Sequence, residues 1–134
     1  MADTVTSQTI QDGERVAILK FTNESDGTGE ASVKKVDVSA LSKDSRGRSC
    51  SSVSISRIYW ACRGMGVDIE FDASTNVLAI PLPADSTGDE YYDLFTGIPN
   101  NAGSGVTGDI DFTTVAHSNG DAYSIILVLT KNYS

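Results

Sequence analysis

The sequence is poor in histidine, cysteine, proline and aromatic residues. Among 134 residues there are one histidine, two cysteines and three prolines, and aromatic residues make up only 7%. One histidine cannot build a multi-histidine centre, and Cys50 and Cys62 form no CxxC pair, so a structural zinc site is disfavoured. Few aromatic rings also leave little surface for stacking on bases or sugars. No cofactor is therefore expected.

Positive charge is scarce as well. Lys and Arg number 10 against 18 Asp and Glu, which gives a net charge of −8 and a pI of about 4.4. Nonspecific nucleic-acid binding needs clustered cations to neutralise phosphates, and anionic membrane surfaces attract basic segments. We therefore expect neither a nucleic acid nor a membrane as a partner.

Long hydrophobic runs are also missing. The longest, IILVL at residues 125–129, has five residues, whereas a membrane-spanning helix needs about 20. The opening MADTVTSQTIQDGER lacks the basic and apolar regions of a signal peptide. We therefore expect the chain to stay in the compartment where it is made, with Cys50 and Cys62 as free thiols.

What the sequence does contain is a series of short β-strand patterns. Segments that alternate apolar and polar residues, or are apolar throughout, recur between turn-forming residues, and helical periodicity is nearly absent. The predicted strands are residues 15–21, 32–41, 53–62, 67–71, 77–82, 109–115 and 123–129. This pattern predicts one all-β domain over residues 1–134, an antiparallel β-sandwich or jelly-roll-like barrel of about seven to eight short strands.

Three segments with strong turn chemistry predict hairpins. DGTG at 26–29 would join the first two predicted strands, DASTN at 72–76 the strands on either side of it, and Asn119-Gly120 the last two. The last strand is apolar on both parities, so we expect it to be central and covered on both faces. Pro81 indicates a strand at a sheet edge or near its own end.

The remaining segments are predicted to be loops or an arm. Residues 1–12 form either an extended N-terminal arm or an edge strand built on residues 6–10. Residues 42–52 are polar and indicate an exposed loop. Residues 94–108 are rich in glycine and cannot bury much, so we expect a surface loop, and loops of this length are often functional.

The segment RIYWACRGMGVDIEF at residues 57–71 changes its pattern midway. Its large apolar side chains occupy even positions in the first half and odd positions in the second. One straight strand cannot direct both sets to one core, and the two glycines at the change permit a bulge or sharp bend. We therefore predict a joint between two sheets, with irregular backbone at residues 63–66 and with Trp60 and Ile69 buried.

Two acidic pairs are the main candidates for catalysis. Asp68 with Glu70, and Asp109 with Asp111, each share a strand face, and paired carboxylates serve as acid and base in glycoside cleavage. Acidic residues also alternate with apolar ones on any solvated strand face. We favour the solvated face and hold a small hydrolase as an alternative.

The single histidine and the acidic loops give weaker signals. His117 lies beside Ser118 and near Asp121, but no GxSxG or similar frame accompanies it, so we interpret it as an exposed hairpin residue. Calcium is considered at two clusters, whose spacing does not match an EF-hand loop. These clusters are Asp85, Asp89, Glu90 and Asp93, and Asp26 with Glu30. We expect neither an enzyme nor a metal site.

Cations are concentrated in residues 46–63 of this acidic chain, where Arg57 also lies. A complementary protein interface is one interpretation of this segment, and solvated loop and rim positions are the other. The candidate interface residues are Arg46, Arg48 and Arg63, with Asn100 and Asn101 of the long loop.

A family resemblance that extends over nearly the whole chain rests on four stretches. They are MADTVTSQTIQDGERVAILKFTNESDGTGE, VKKVDVSAL, RIYWACRGMGVDIEFDAS and NNAGSGVTGDIDFTTVAHSNGDAYSIILVLTKNY. In these stretches the chain resembles small virion structural proteins of tailed bacteriophages and their prophage relatives. The stretches are structural segments, and they contain no functional-residue motif to carry over.

The resemblance implies a non-enzymatic virion component that is made in the host cytoplasm. The implied role is a capsid decoration or cement protein that binds and stabilises the shell of major capsid protein, or other virion proteins, as a symmetric homo-oligomer. The alternative is a tail, neck or host-contact component that binds carbohydrate.

Overall fold

Two antiparallel β-sheets form the fold of this computed structural model, which describes residues 3–92 and 97–133. The strands are β1 Thr4–Asp12, β2 Val16–Glu24, β3 Val33–Val36, β4 Cys50–Arg63, β5 Gly66–Phe71, β6 Val77–Leu82, β7 Thr87–Tyr91, β8 Ile110–Val115 and β9 Ala122–Tyr133. One 3₁₀ helix covers Val38–Ala40. The predicted all-β fold is confirmed, although the described residues contain nine strands rather than seven or eight.

The strands are arranged as a β-sandwich. The five-stranded sheet has the order β1-β2-β9-β4-β7, and the four-stranded sheet has the order β3-β8-β5-β6. Their inner faces supply one apolar core, in which Ile125 and Leu127 of β9 and Ile69 of β5 are fully buried. Phe112 of β8 meets Phe21 of β2 edge to face, with ring centroids 5.4 Å apart, a contact worth about 1 kcal/mol beyond its burial.

Two of the three predicted hairpins are wrong. β2 pairs with β1 and β9, not with β3, and β8 pairs with β3 and β5, not with β9. The segments 25–32 and 116–121 instead cross between the sheets and bond to each other: Ser25 N donates to Asp121 O at 2.7 Å, and Gly120 N to Ser25 O at 2.8 Å. Turn-forming residues reverse the chain here without pairing the strands that they join. The hairpin at 72–76 is confirmed, since β5 and β6 pair.

Strand β3 is shorter than the predicted strand 32–41. It ends at Val36 because Asp37 caps the 3₁₀ helix, its Oδ1 accepting a bond from Ser39 N at 3.0 Å. Val36 and Val38 still face the core, and both are buried. A cap side chain therefore ends the strand where the alternating pattern alone indicates that it continues.

The parity change predicted at the glycines is real, and a second one precedes it. A register shift between Ile55 and Arg57 in the β4–β9 pairing moves the inward positions from odd to even. β4 then ends, and β5 begins in the other sheet. Gly64 lies at this crossing with φ +79°, and its N–H donates to Asp85 Oδ1 at 2.7 Å. The joint between sheets is therefore confirmed.

The burial predicted around the joint is only half right. Ile69 is fully buried, but Trp60 is half-buried. The Trp60 indole lies against Gly88 of edge strand β7, and its Nε1–H donates to Ser86 Oγ at 3.0 Å. Trp60 shares the inner parity of β4, but its position beside the edge strand leaves part of the ring exposed.

The other segment predictions have mixed outcomes. β9 is central in its sheet, as predicted, but the expectation that both faces are covered is wrong, because Ile126 and Val128 on its outer side are only half-buried. β6, which contains Pro81, is an edge strand as expected. Residues 4–12 form the edge strand β1 rather than a free arm. The loop predicted over 42–52 ends at Cys50, where β4 starts.

Of the loop predicted over residues 94–108, residues 94–96 lie outside the described residues. Ile98 forms an isolated bridge with Ile55, with N···O distances of 2.8 and 3.0 Å, so the loop lies along the first half of β4. Most residues from 101 to 107 are exposed, as a surface loop requires.

Candidate binding face

The outer face of the five-stranded sheet, on the side away from the core, carries three parallel cross-strand rows. Residues that are register partners in an antiparallel sheet share a face. The large-residue row is Gln8–Lys20–Ile126–Tyr59–Asp89, and beside it lies Gln11–Ile18–Val128–Arg57–Tyr91. The small-residue row is Thr6–Thr22–Ser124–Ala61–Thr87. The sheet thus presents a wall of large side chains beside a floor of small ones.

This difference in size creates a trough in the outer face. A groove of about 470 Å³ is bounded on this face by Tyr59, Asp89 and Ile126, with Ala61 and Ser124 at its floor. A second groove of about 350 Å³ shares Ala61, Thr87 and Ser124 and reaches Arg63. Because the two grooves share these lining residues, they lie side by side along the trough, with Tyr59 and Asp89 toward one end and Arg63 toward the other.

The side chain of Arg57 is fixed beside the trough. Its Nε and Nη2 donate to the two carboxylate oxygens of Asp89 at 3.0 and 2.8 Å, the bidentate geometry that makes such pairs specific. The guanidinium carbon lies 4.7 Å from the Tyr59 ring centroid and 5.2 Å from that of Tyr91, within cation–π range. The hydrogen bond from Arg57 lowers the pKa of Asp89. The cluster is therefore charged and ordered before any partner arrives.

Arg46 and Arg48 of the sequence-predicted interface lie in one turn at the opposite end of β4. Asp44, which is buried, accepts bonds from Arg46 N at 3.0 Å and Arg48 N at 2.8 Å. It also accepts Arg48 Nε at 2.6 Å, and the Arg48 guanidinium lies 5.7 Å from the Tyr133 ring. Arg48 therefore stabilises the turn through Asp44, whereas the side chain of Arg46 is exposed at its tip.

The five predicted interface residues do not form one site. Arg63 ends β4, and its Nη2 donates to Gly120 O at 3.0 Å. The length of β4, fourteen residues that end at Arg63, separates it from Arg48, a span of about 45 Å. Asn100 turns its Oδ1 to Ala102 N at 2.9 Å, and Asn101 is exposed in the same loop. Arg63 alone among them lines the trough.

The solvated face predicted for Asp109 and Asp111 is wrong, because both are buried, with exposures of 4% and 2%. β8 lies between β3 and β5, and residues of β3 and of the 72–76 turn contact these two carboxylates. Asp109 pairs with Lys34 at 2.9 Å and accepts Val38 N at 2.9 Å. Glu70 is half-buried and accepts Thr113 Oγ1 at 2.9 Å. These bonds connect β3, β5 and β8.

Asp111 has the most perturbed environment of these carboxylates. Its Oδ2 accepts Asn76 Nδ2 at 2.9 Å, while Oδ1 has no donor among the described residues. Burial, and after it a hydrogen bond with Asp72, together raise the pKa of Asp111 to about 7. The same bond lowers the pKa of Asp72. The two carboxyl groups therefore share one proton near pH 6, as like charges in close contact must.

The loops considered for calcium use their carboxylates within the protein. Asp85 bonds to Gly64, Asp89 pairs with Arg57, and Glu90 is exposed; Asp93 lies outside the described residues. Glu30 is buried and accepts Asn23 Nδ2 at 2.9 Å and Tyr123 OH at 2.6 Å, and it pairs with Lys35. Among residues 3–92 and 97–133, no group of three or more His, Cys, Asp or Glu side chains is arranged to hold a metal ion.

The remaining candidates have structural positions. The ring of His117 lies on the backbone of Gly29 and its Nδ1 is 3.1 Å from Thr114 Oγ1, so it is half-buried rather than an exposed hairpin residue. Cys50 and Cys62 are both buried and free, as predicted, at opposite ends of β4. In the described part of the chain no helix is long and apolar enough to cross a membrane.

The sequence does not predict that the central residues of the outer face lie together. Arg57 and Tyr59 are two positions apart, which places them on one strand face, and this spacing is the available signal. Asp89 and Tyr91 repeat that spacing in β7, but nothing in the sequence indicates that β7 pairs with β4. The site depends on this pairing.

No family model matches the chain, and no curated protein matches it. Among solved structures, it is similar to a cupin superfamily protein from Desulfitobacterium hafniense DCB-2, with 14% identity over 98% of this chain and 80% of that one and a TM-score of 0.36. It is also similar to a mutant of CBM29-2, a family 29 carbohydrate-binding module, with 12% identity, coverages of 96% and 86% and a TM-score of 0.40. Similarity at these levels carries no argument about function.

Proposed function

We propose that the chain is a non-enzymatic structural protein of a tailed-bacteriophage particle, which decorates and stabilises the shell of major capsid protein. The observation that best supports this is the apolar and aromatic band across the outer face. Ile18, Ile126 and Val128 are half-buried there with no layer above them in the described residues, beside Arg57 and Tyr59. Protein interfaces are enriched in such Tyr and Arg side chains around apolar ones.

Charge and order on this face also favour docking. Its three rows contain two cations, Lys20 and Arg57, and one anion, Asp89, in a chain of net charge −8. The face therefore avoids the like-charge repulsion that the rest of the surface would exert on an acidic partner. Since Asp89 and two rings already fix Arg57, binding loses little side-chain entropy there.

Purified particles provide the test. We expect the chain to copurify with the particle at hundreds of copies, and its absence from purified particles would refute the proposal. Particles lacking the chain would then be incubated with purified variants. Arg57→Ala and Tyr91→Ala should reduce occupancy about tenfold, whereas Val115→Ala, an exposed residue of the four-stranded sheet, should bind as wild type. Equal occupancy of all three would exclude this face as the contact.

The trough favours a second candidate, a carbohydrate-binding host-contact component. The Tyr59 ring borders a channel whose floor carries the hydroxyl groups of Ser124 and Thr87 and whose wall carries Asp89. Sugars bind by stacking on such rings while carboxylates and hydroxyls bond to their polar edges. A glycan array should then give signals that Tyr59→Ala abolishes and Val115→Ala retains. Copy number distinguishes the candidates, since a host-contact component would be present in tens of copies or fewer.

A further inference from the structure

The two sheets end in four edge strands, and three of these carry features that block further pairing. β3 has only four residues and presents Lys34, whose side chain is half exposed. β6 contains Pro81, which cannot donate to a neighbouring strand. β7 contains Asp89 followed by Glu90. Charges, proline and short length are the usual protections of a sheet edge.

The fourth edge strand, β1, lacks these protections. Its first eight residues, TVTSQTIQ, include no charged residue, proline or glycine, and five of them are β-branched. All eight are exposed. Its outward backbone edge has no partner strand among the described residues. Such a strand is a template for another strand.

The surface next to β1 is also incompletely covered. Val5 is 47% exposed and Val33 of β3 is 38% exposed. Both border a groove of about 250 Å³ that lies between β1 and β3 and reaches Phe21. The groove exists because the four-stranded sheet ends at the short β3 and does not extend beneath β1. Apolar surface therefore adjoins the unpaired backbone edge.

We infer that β1 is a self-association strand, which pairs antiparallel with β1 of a second copy of this chain. A two-fold axis at Ser7 places Val5 opposite Thr9 and Thr6 opposite Gln8, each pair on one face of a continuous ten-stranded sheet. The register shift between Thr9 and Gln11 limits the ladder to residues 5–9.

The absence of charge in residues 5–9 of β1 favours a second copy as its partner. Antiparallel pairing of residues 5–9 with themselves opposes no two like charges. The nearest acid before β1, Asp3, is held away from the edge because its carboxylate accepts Asn23 Nδ2 at 3.0 Å and Gly29 N at 3.2 Å. Since each copy carries a net charge of −8, long-range repulsion opposes the pairing, so added salt strengthens it. This contact uses the sheet edge and does not depend on the proposed capsid docking.

Sedimentation of the full chain tests the inference. Wild type should pass from 14.2 kDa to twice that mass as concentration rises, at lower concentration in high salt. Thr6→Lys/Gln8→Lys places lysines opposite each other across the axis and should weaken association about tenfold or more. The control Leu78→Lys/Val115→Lys adds the same charge at exposed positions of the four-stranded sheet and should associate at least as well as wild type.

Hydrogen exchange of the wild type keeps the inference testable if the β1 variant fails to fold. Backbone amides of residues 5–9 should gain protection at high concentration, while those of β7 should not. A wild type that is monomeric throughout with unchanged exchange would overturn the inference. So would protection confined to another edge, or a folded β1 variant that associates like wild type.

Discussion

Replacing Asp111 by Asn should make the protein more stable at pH 8 and remove part of its pH dependence. Asp111 is 2% exposed, and its pKa rises from 3.8 to about 7 through burial and the bond with Asp72. Between these values the native state holds a proton that the unfolded chain has released. The free energy of unfolding therefore falls as the pH rises through this window, by at most about 1.4 kcal/mol per pH unit.

The size of the stability difference follows from the two pKa values of Asp111, 3.8 and about 7. Full ionisation of native Asp111 corresponds to a loss on the order of 4 kcal/mol. Asparagine is neutral at every pH, can donate its amide to Asp72 and can still accept from Asn76. Asp111→Asn should therefore match wild type only below about pH 3.8, and should exceed its stability by a margin that grows to about 4 kcal/mol at pH 8.

Urea denaturation at a series of pH values measures this difference. Asp68→Asn is the matched control, because Asp68 is a half-buried carboxyl of the neighbouring strand whose pKa is raised by burial and the charge of Glu70 rather than by a bond to a second carboxyl group. If the wild-type and Asp111→Asn curves stay parallel from pH 5 to pH 8, the proton shared by Asp72 and Asp111 does not exist as described.

Two further substitutions test the packing. Gly88→Ala places a methyl group against the Trp60 ring and should destabilise the protein by about 1–2 kcal/mol. In the control Gly103→Ala, the added methyl group meets no atom within 4 Å, so its stability should stay within about 0.5 kcal/mol of wild type. Equal thermal denaturation midpoints for the two variants would contradict the Trp60 contact. Glu30→Gln leaves a buried ammonium without its counter-ion and should lower the urea midpoint by the equivalent of about 3 kcal/mol. Exposed Glu90→Gln should leave that midpoint unchanged, and similar losses in both would argue against a special role for the buried pair.

Local patterns in the sequence predicted where the strands lie better than they predicted which strands pair. Alternation located seven strands because a half-buried strand shows its period in the sequence. The Asn119-Gly120 turn indicated a reversal equally well, but whether the next strand pairs with the previous one or joins the other sheet depends on the core. The change of facing predicted at Gly64 was confirmed because a shift of one residue would otherwise turn every apolar side chain of the following strand toward solvent.

The outer face could be predicted only in fragments for the same reason. Arg57 and Tyr59 lie on one strand, whereas Asp89 reaches them through a pairing between strands distant in sequence. The burial of Asp111 likewise depends on neighbours from two other strands. A site whose residues come from several strands of a sheet can be predicted only when the order of those strands is known.

The position of β9 has a consequence for biosynthesis. β2 and β4 are not neighbours in the five-stranded sheet; β9 lies between them and bonds to both. The pairing of β2 and β4 into one sheet therefore requires β9, the last described strand. Folding with such distant pairings is slow, and the waiting strands expose unpaired edges. Residues 122–133 must emerge from the ribosome before the five-stranded sheet is complete, so we expect this sheet to form as a single late event rather than strand by strand.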